Sequence, residues 1–185
     1  MKGSIDYSML PFFVYIELEL ILMDKQQIYS FLNEHDVWFE VTEHQAVYNM
    51  QEVSKVNLPY PNADAKNIFV RDDKKRKYYL ITVDGSHRVD LKKFSQDHGT
   101  RNLSFASETD LKDKLGLSPG SVTPFGLLNN KAHDVDLYLD KQFTKGSGII
   151  GVHPNDNTAT VWMKTKDLAN IIQEHGNQVV ITDIL

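Results

Sequence analysis

Residues 67–71 read NIFVR and residues 78–83 read YYLITV, with the charged segment DDKKRK at 72–77 between them and Asp84–Gly85 behind. Two runs of β-branched and aromatic residues separated by a short polar segment predict a β-hairpin. Upstream, residues 58–63 carry Pro59 and Pro61 and form a loop. Asn49 can cap a short helix through about Val56, and residues 37–42 read as a strand. From Asp24 to about Asp36, Ile28, Phe31 and Leu32 recur at helical spacing. Downstream of the hairpin, polar helices are expected near 90–97 and 108–115, with a short strand around 102–105. A loop rich in Gly, Ser, Thr and Pro follows at 118–126. Strands are then expected at 135–139, 149–152 and 158–163, a helix at about 166–175, and a last strand at 179–182. This order is neither a clean βαβ alternation nor a run of strands alone. It predicts an α+β domain with a mixed, strongly curved β-sheet flanked by helices.

A chain of 185 residues with 41% hydrophobic and 24% charged content can bury an ordinary core as one compact unit. The absence of cysteine excludes a disulfide framework, a thiolate metal site and a cysteine nucleophile. It is compatible with a reducing compartment, and the cytoplasm is the expected location. A net charge of −5 means that nucleic acid must be met by a local basic patch. Arg71, Lys74, Lys75, Arg76 and Lys77 supply one; the same run also reads as a solvated hairpin turn. Residues 10–23 are apolar but interrupted by Glu17 and Glu19, too short an uninterrupted stretch for a bilayer, with no small-residue cleavage site after them. No membrane partner is expected. Residues 1–22 are read as an N-terminal extension, with an extra edge strand as the structural alternative and a true start at Met23 as the third reading.

The chemistry narrows by residue type. The histidines have no zincin or calcium-loop spacing, no Gly-x-Ser-x-Gly elbow is present, and no Gly-x-x-x-x-Gly-Lys loop occurs. No metal and no cofactor is expected. Three features remain. Lys66 opens an apolar strand, where its ammonium group either enters a cleft at the sheet end or snorkels to the surface. The loop Gly120–Gly126, with Ser121, Thr123, Pro124, Phe125 and Gly126, offers hydroxyls and backbone to a small polar ligand, or is a turn. The segment Gly151–Thr160 places His153, Pro154, Asn155, Asn157 and Thr158 in a tight connection between strands, which a plain hairpin also explains.

In combination, the strand entry Ala65-Lys66-Asn67, the segment 117–127 containing Val122 to Leu127, and the segment His153–Val161 resemble the YbaK/ProX family of aminoacyl-tRNA deacylases. The resemblance is strongest to its branch that clears alanine from proline tRNA, and it covers residues 23–185. It implies a sheet curled into a partial barrel and a trans-editing hydrolase acting on the ester of Ala-tRNA(Pro). Within it, Lys66 is the residue on which activity most depends, His153 orients water or the substrate amine, and Asn67 lies beside the ribose or carbonyl. Gly151 allows close backbone approach, and residues 47–56 and 121–125 wall a pocket that excludes the proline ring. The implied partners are the acceptor end of a mischarged tRNA, with residues 71–77 as its basic contact, and prolyl-tRNA synthetase. The alternatives are a deacylase for cysteine or serine on the same fold and a non-catalytic tRNA-binding module.

Overall fold

The computed structural model describes residues 22–46, 59–60 and 62–184. Helix α1 (Lys25–Glu34) starts at Asp24, whose carboxylate accepts from the Gln27 N–H while the Gln27 side chain accepts from the Asp24 N–H. This reciprocal pair satisfies two of the orphan donors of the first turn. Ile28 and Leu32 lie on the buried face. Strand β1 (Phe39–Glu43) follows. The helix expected at Asn49 to Val56 falls outside the described residues.

The hairpin is present as β2 (Ala65–Asp72) and β3 (Tyr78–Asp84), paired antiparallel with Lys66 opposite Val83 and Asn67 opposite Thr82. All seven residues of β3 are buried. Its largely apolar run, broken by Thr82, suits a central strand covered on both faces. Tyr78 and Leu80 enter the main core, whereas Tyr79, Ile81 and Val83 enter a second cluster with Phe94 and Tyr138. Helix α2 (Leu91–Asp97), strand β4 (Leu103–Phe105) and helix α3 (Glu108–Leu115) come next. Residues 118–126, expected to be irregular throughout, end in a 3-10 helix over Pro124–Asn129. Then come β5 (Val135–Asp140), β6 (Ile149–Val152), β7 (Ala159–Lys164), helix α4 (Thr165–His175) and β8 (Val179–Thr182).

The strands form two sheets. Five lie in the order β4-β2-β3-β5-β8, with β3, β5 and β8 parallel; three lie in the order β1-β7-β6, all antiparallel. The expected barrel-like, strongly curved single sheet is therefore corrected to a mixed α+β fold with two open sheets. Strand β6 has only four residues, and its contact with the start of β2 is one parallel bridge, Asp64 to Gly151. One bridge does not continue the ladder, so neither sheet closes. The main core packs α1, α3 and α4 against inward faces of both sheets, through Leu32, Leu115, Leu137, Val161 and Ile172 among others. Among the described residues no helix is long and apolar enough to cross a membrane.

Candidate functional site

The bridge between the sheets also aligns their faces. Residues paired across strands point the same way, and side chains alternate along each strand. Gly151 pairs with Trp162, and Thr160 with Thr42. Thr42, Thr160, Trp162 and Gly151 therefore share one face, the 6.2 Å approach of the His153 ring to that of His44 sets His153 on the same side, and the bridge carries that face to Asp64 and thence to Lys66. Trp162 is fully buried beneath it, its indole N–H donating to Thr42 Oγ1 at 2.9 Å, with the Tyr60 ring 5.5 Å away.

Five cationic side chains among the described residues are half-buried: Lys25, Lys66, Arg71, Lys77 and Lys114. Lys25 pairs with Glu43, Arg71 with Asp110, Lys77 with Asp136 and Lys114 with Asp134. Lys66 has no carboxylate partner among the described residues. A half-buried ammonium left unpaired retains its field for a ligand. Asp64, two residues before it on the same face, has its carboxyl pKa raised, first by burial and further by the nearby Asp84 carboxylate, against its backbone hydrogen bond.

His153 is held from two sides. Its carbonyl accepts from Thr123 Oγ1 at 2.6 Å, and its ring Nδ1 lies 3.0 Å from the Ala159 carbonyl. A carbonyl only accepts, so Nδ1 carries the proton and Nε2 is left as an acceptor. Burial pushes the imidazole pKa down and the neighbouring His44 acts in the same direction, opposed by the Ala159 carbonyl and Asp156. The ring is consequently a neutral acceptor at neutral pH.

The other residues singled out by sequence divide. Asn67 points to the opposite face from Lys66, where Thr82 Oγ1 donates to its Oδ1 at 2.8 Å. Ser121 closes a local turn onto the Ser118 carbonyl. Pro124, Phe125 and Gly126 are buried, and a Cβ on Gly126 would meet Leu117 Cδ1 at 2.6 Å. Their observed contacts are packing ones, while Thr123 ties this loop to His153. Pro154 is buried. Asn155 adopts φ 59° and donates to the Met23 carbonyl at 2.6 Å, its Oδ1 being buried without a partner. Asn157 is half-buried, and Thr158 Oγ1 binds Asp156 and Lys25. In the basic run, Arg71 and Lys77 are engaged by internal carboxylates, leaving Lys74, Lys75 and Arg76 exposed at the hairpin turn, remote along β2 from Lys66. A groove of about 520 Å³ between α4 and β8, lined by Thr144, Lys164, Asn170 and Ile181 among others, contains none of these residues.

Sequence reasoning took in Thr160 only as the end of the candidate segment Gly151–Thr160 and gave His44 and Trp162 no role. The available signal was alternation, Glu40-x-Thr42-x-His44 and Thr160-x-Trp162, but which strands pair is not written in either segment.

A family model described as an aminoacyl-tRNA editing domain matches residues 44–171. The chain is 38% identical over 153 residues to the prolyl-tRNA editing protein ProX of Acetoanaerobium sticklandii, covering 83% of this chain and 93% of that one. It is 31% identical over 145 residues to the mouse (Mus musculus) prolyl-tRNA synthetase associated domain-containing protein 1, covering 77% and 85% respectively. A solved structure described provisionally as a trans-editing enzyme for prolyl tRNA synthetase superposes with a TM-score of 0.63 at 21% identity, over 85% of this chain and 94% of that one, and so shares the fold. The chain belongs to the aminoacyl-tRNA editing domain family.

Proposed function

We propose that this protein is a trans-editing deacylase that hydrolyses the ester joining alanine to proline tRNA, acting on free mischarged tRNA in the cytoplasm beside prolyl-tRNA synthetase. The observation that carries the reading is Lys66, the one half-buried cation among the described residues without a carboxylate, on the sheet face that also carries the neutral His153. An aminoacyl ester is activated already, so the protein needs no nucleophile. It has to hold the ester, stabilise the oxyanion that develops on the carbonyl oxygen, and admit a water. Lys66 supplies positive charge for the oxyanion or the terminal phosphate. His153 Nε2 supplies an acceptor for a water or an amine. Thr123 fixes the backbone from which His153 projects. Lys74, Lys75 and Arg76 are available to the acceptor stem, and exclusion of the proline ring by a small pocket supplies selectivity.

The test is release of alanine from Ala-tRNA(Pro) by the intact protein and by Lys66→Ala, with Pro-tRNA(Pro) as control. Loss of alanine alone, slowed at least a hundredfold or so in the variant, supports the reading, since removing one preorganised charge contact typically costs about 10²–10³ in rate. No release by the intact protein overturns it, and equal release by the variant removes Lys66 from the mechanism.

A further inference from the structure

At one end of the three-stranded sheet the register assembles a polar row that the reading above uses only in part. Thr42 of β1 lies opposite Thr160 of β7. On the other side of β7, strand β6 ends at Val152 opposite Val161, and His153 is the first residue beyond it. His44, two residues beyond Thr42 and so on the same face, reaches back to Thr160, with Nε2 3.0 Å from Oγ1. Its Nδ1 lies 2.8 Å from the Gln45 carbonyl, which only accepts. Nδ1 therefore carries the proton, Nε2 accepts, and the Thr160 hydroxyl donates to His44. The two imidazoles stand 6.2 Å apart, edge to face at 62°.

With its proton committed to His44, Thr160 Oγ1 offers only lone pairs, and donation into the ring strengthens it as an acceptor. Thr160 as a whole is 8% exposed, so bulk water reaches it poorly. His153 Nε2 is a second acceptor, with Nδ1–H committed to Ala159. Two neighbouring acceptors on neutral groups complement a group that has only donors and carries positive charge. An aminoacyl ester bears such a group, the α-ammonium, one carbon from the carbonyl that is attacked.

We propose that Thr160 Oγ1 and His153 Nε2 form the α-ammonium site of this deacylase, with His44 as the positioning residue that orients the Thr160 hydroxyl. This rests on the deacylase reading and deepens it. Lys66 repels an ammonium group and attracts carbonyl oxygen or phosphate, so the two poles orient an α-amino ester in one sense, carbonyl toward the lysine and amine toward the row. His44 itself needs no contact with substrate, because both of its ring nitrogens are engaged.

The experiment compares two substrates, Ala-tRNA(Pro) and N-acetyl-Ala-tRNA(Pro), for the intact protein and for Thr160→Val, Thr160→Ser, His44→Ala and His44→Gln. Because the result is a ratio of kcat/KM values within each preparation, a loss of folded protein cancels. The intact protein should prefer the free amine by tenfold to a hundredfold or so, the range for one hydrogen bond to a charged group. Thr160→Val and His44→Ala should lose most of that preference, mainly through slower release from the free-amine substrate. Thr160→Ser and His44→Gln, which keep an acceptor oxygen and an acceptor for its proton, should retain it. Equal losses on both substrates, or a preference unchanged in Thr160→Val, overturn the ammonium site while the deacylase stands. Release from neither substrate by the intact protein takes both readings down.

Discussion

Replacing Gly151 with alanine puts a methyl group where the Trp162 ring already sits. A Cβ at this position lies 2.3 Å from Cζ3, 2.6 Å from Cε3 and 2.8 Å from Cη2 of the indole, against an ordinary carbon–carbon contact of about 3.5–4 Å. Neither partner yields easily. The Gly151 N–H donates to the Ala63 carbonyl at 2.7 Å, and the strand is paired with Trp162 itself. The ring is fully buried and tethered through Nε1 to Thr42. Gly151 is not among the positive-φ glycines, so the demand for glycine is steric alone. Overpacking of this kind costs about 1–3 kcal/mol, and swinging the indole off Thr42 adds roughly 1 kcal/mol for the broken hydrogen bond. A total of about 2–4 kcal/mol lowers Tm by roughly 4–16 °C in a chain of this size. Thermal unfolding followed by circular dichroism reads the loss directly. The same substitution in a Trp162→Phe background should cost less than half as much, because the smaller ring vacates the clash. A Tm within 1 °C or so of the parent, or an equal loss in both backgrounds, would refute the steric account of why this position is glycine.

Two further outcomes follow from charge. Because burial and His44 hold the His153 pKa below the ordinary 6.5, its acceptor is intact at neutral pH and lost only as pH falls through that lowered value. The kcat/KM for alanine release should decline with a midpoint below 6.5, and His153→Gln should erase that limb of the profile. Stability should fall over the same range, since the unfolded chain takes up the proton first as pH drops below 6.5. At the hairpin turn, the combined substitution of Lys74, Lys75 and Arg76 by alanine should weaken tRNA binding. The log–log salt slope should shrink by about 0.7–0.9 for each phosphate no longer neutralised, with Tm unchanged. Arg71→Ala should do the reverse, lowering stability by about 1–3 kcal/mol by leaving Asp110 short of its partner. A salt slope unaltered by the triple substitution would remove this turn from the interface.

Most elements were legible because their signals are local. The charged turn between NIFVR and YYLITV and the helical spacing of Ile28, Phe31 and Leu32 each depend on neighbours within a few residues. The site was legible in part. Lys66 and His153 were singled out through the family resemblance and not by residue type alone, and Asn67, adjacent to Lys66 in sequence, turns to the other face because side chains alternate along a strand. The basic run read as one patch, yet Arg71 and Lys77 are drawn inward by Asp110 and Asp136, acids distant in sequence. Gly151, expected to allow close backbone approach, is approached instead by the ring of Trp162.

The amino-acid sequence by itself determined the order of most of the described helices and strands, the α+β class and the absence of thiol chemistry. Periodicity, turn chemistry and composition act over short stretches of chain, so those properties need no knowledge of the fold. The tertiary structure decided that the strands divide into two open sheets, that Lys66 alone of the half-buried cations goes without an acid among the described residues, and that His44, Thr160 and His153 stand in one row. Each of these is a matter of register and long-range pairing, and a shift of one residue in a strand would turn every one of those side chains to the opposite face.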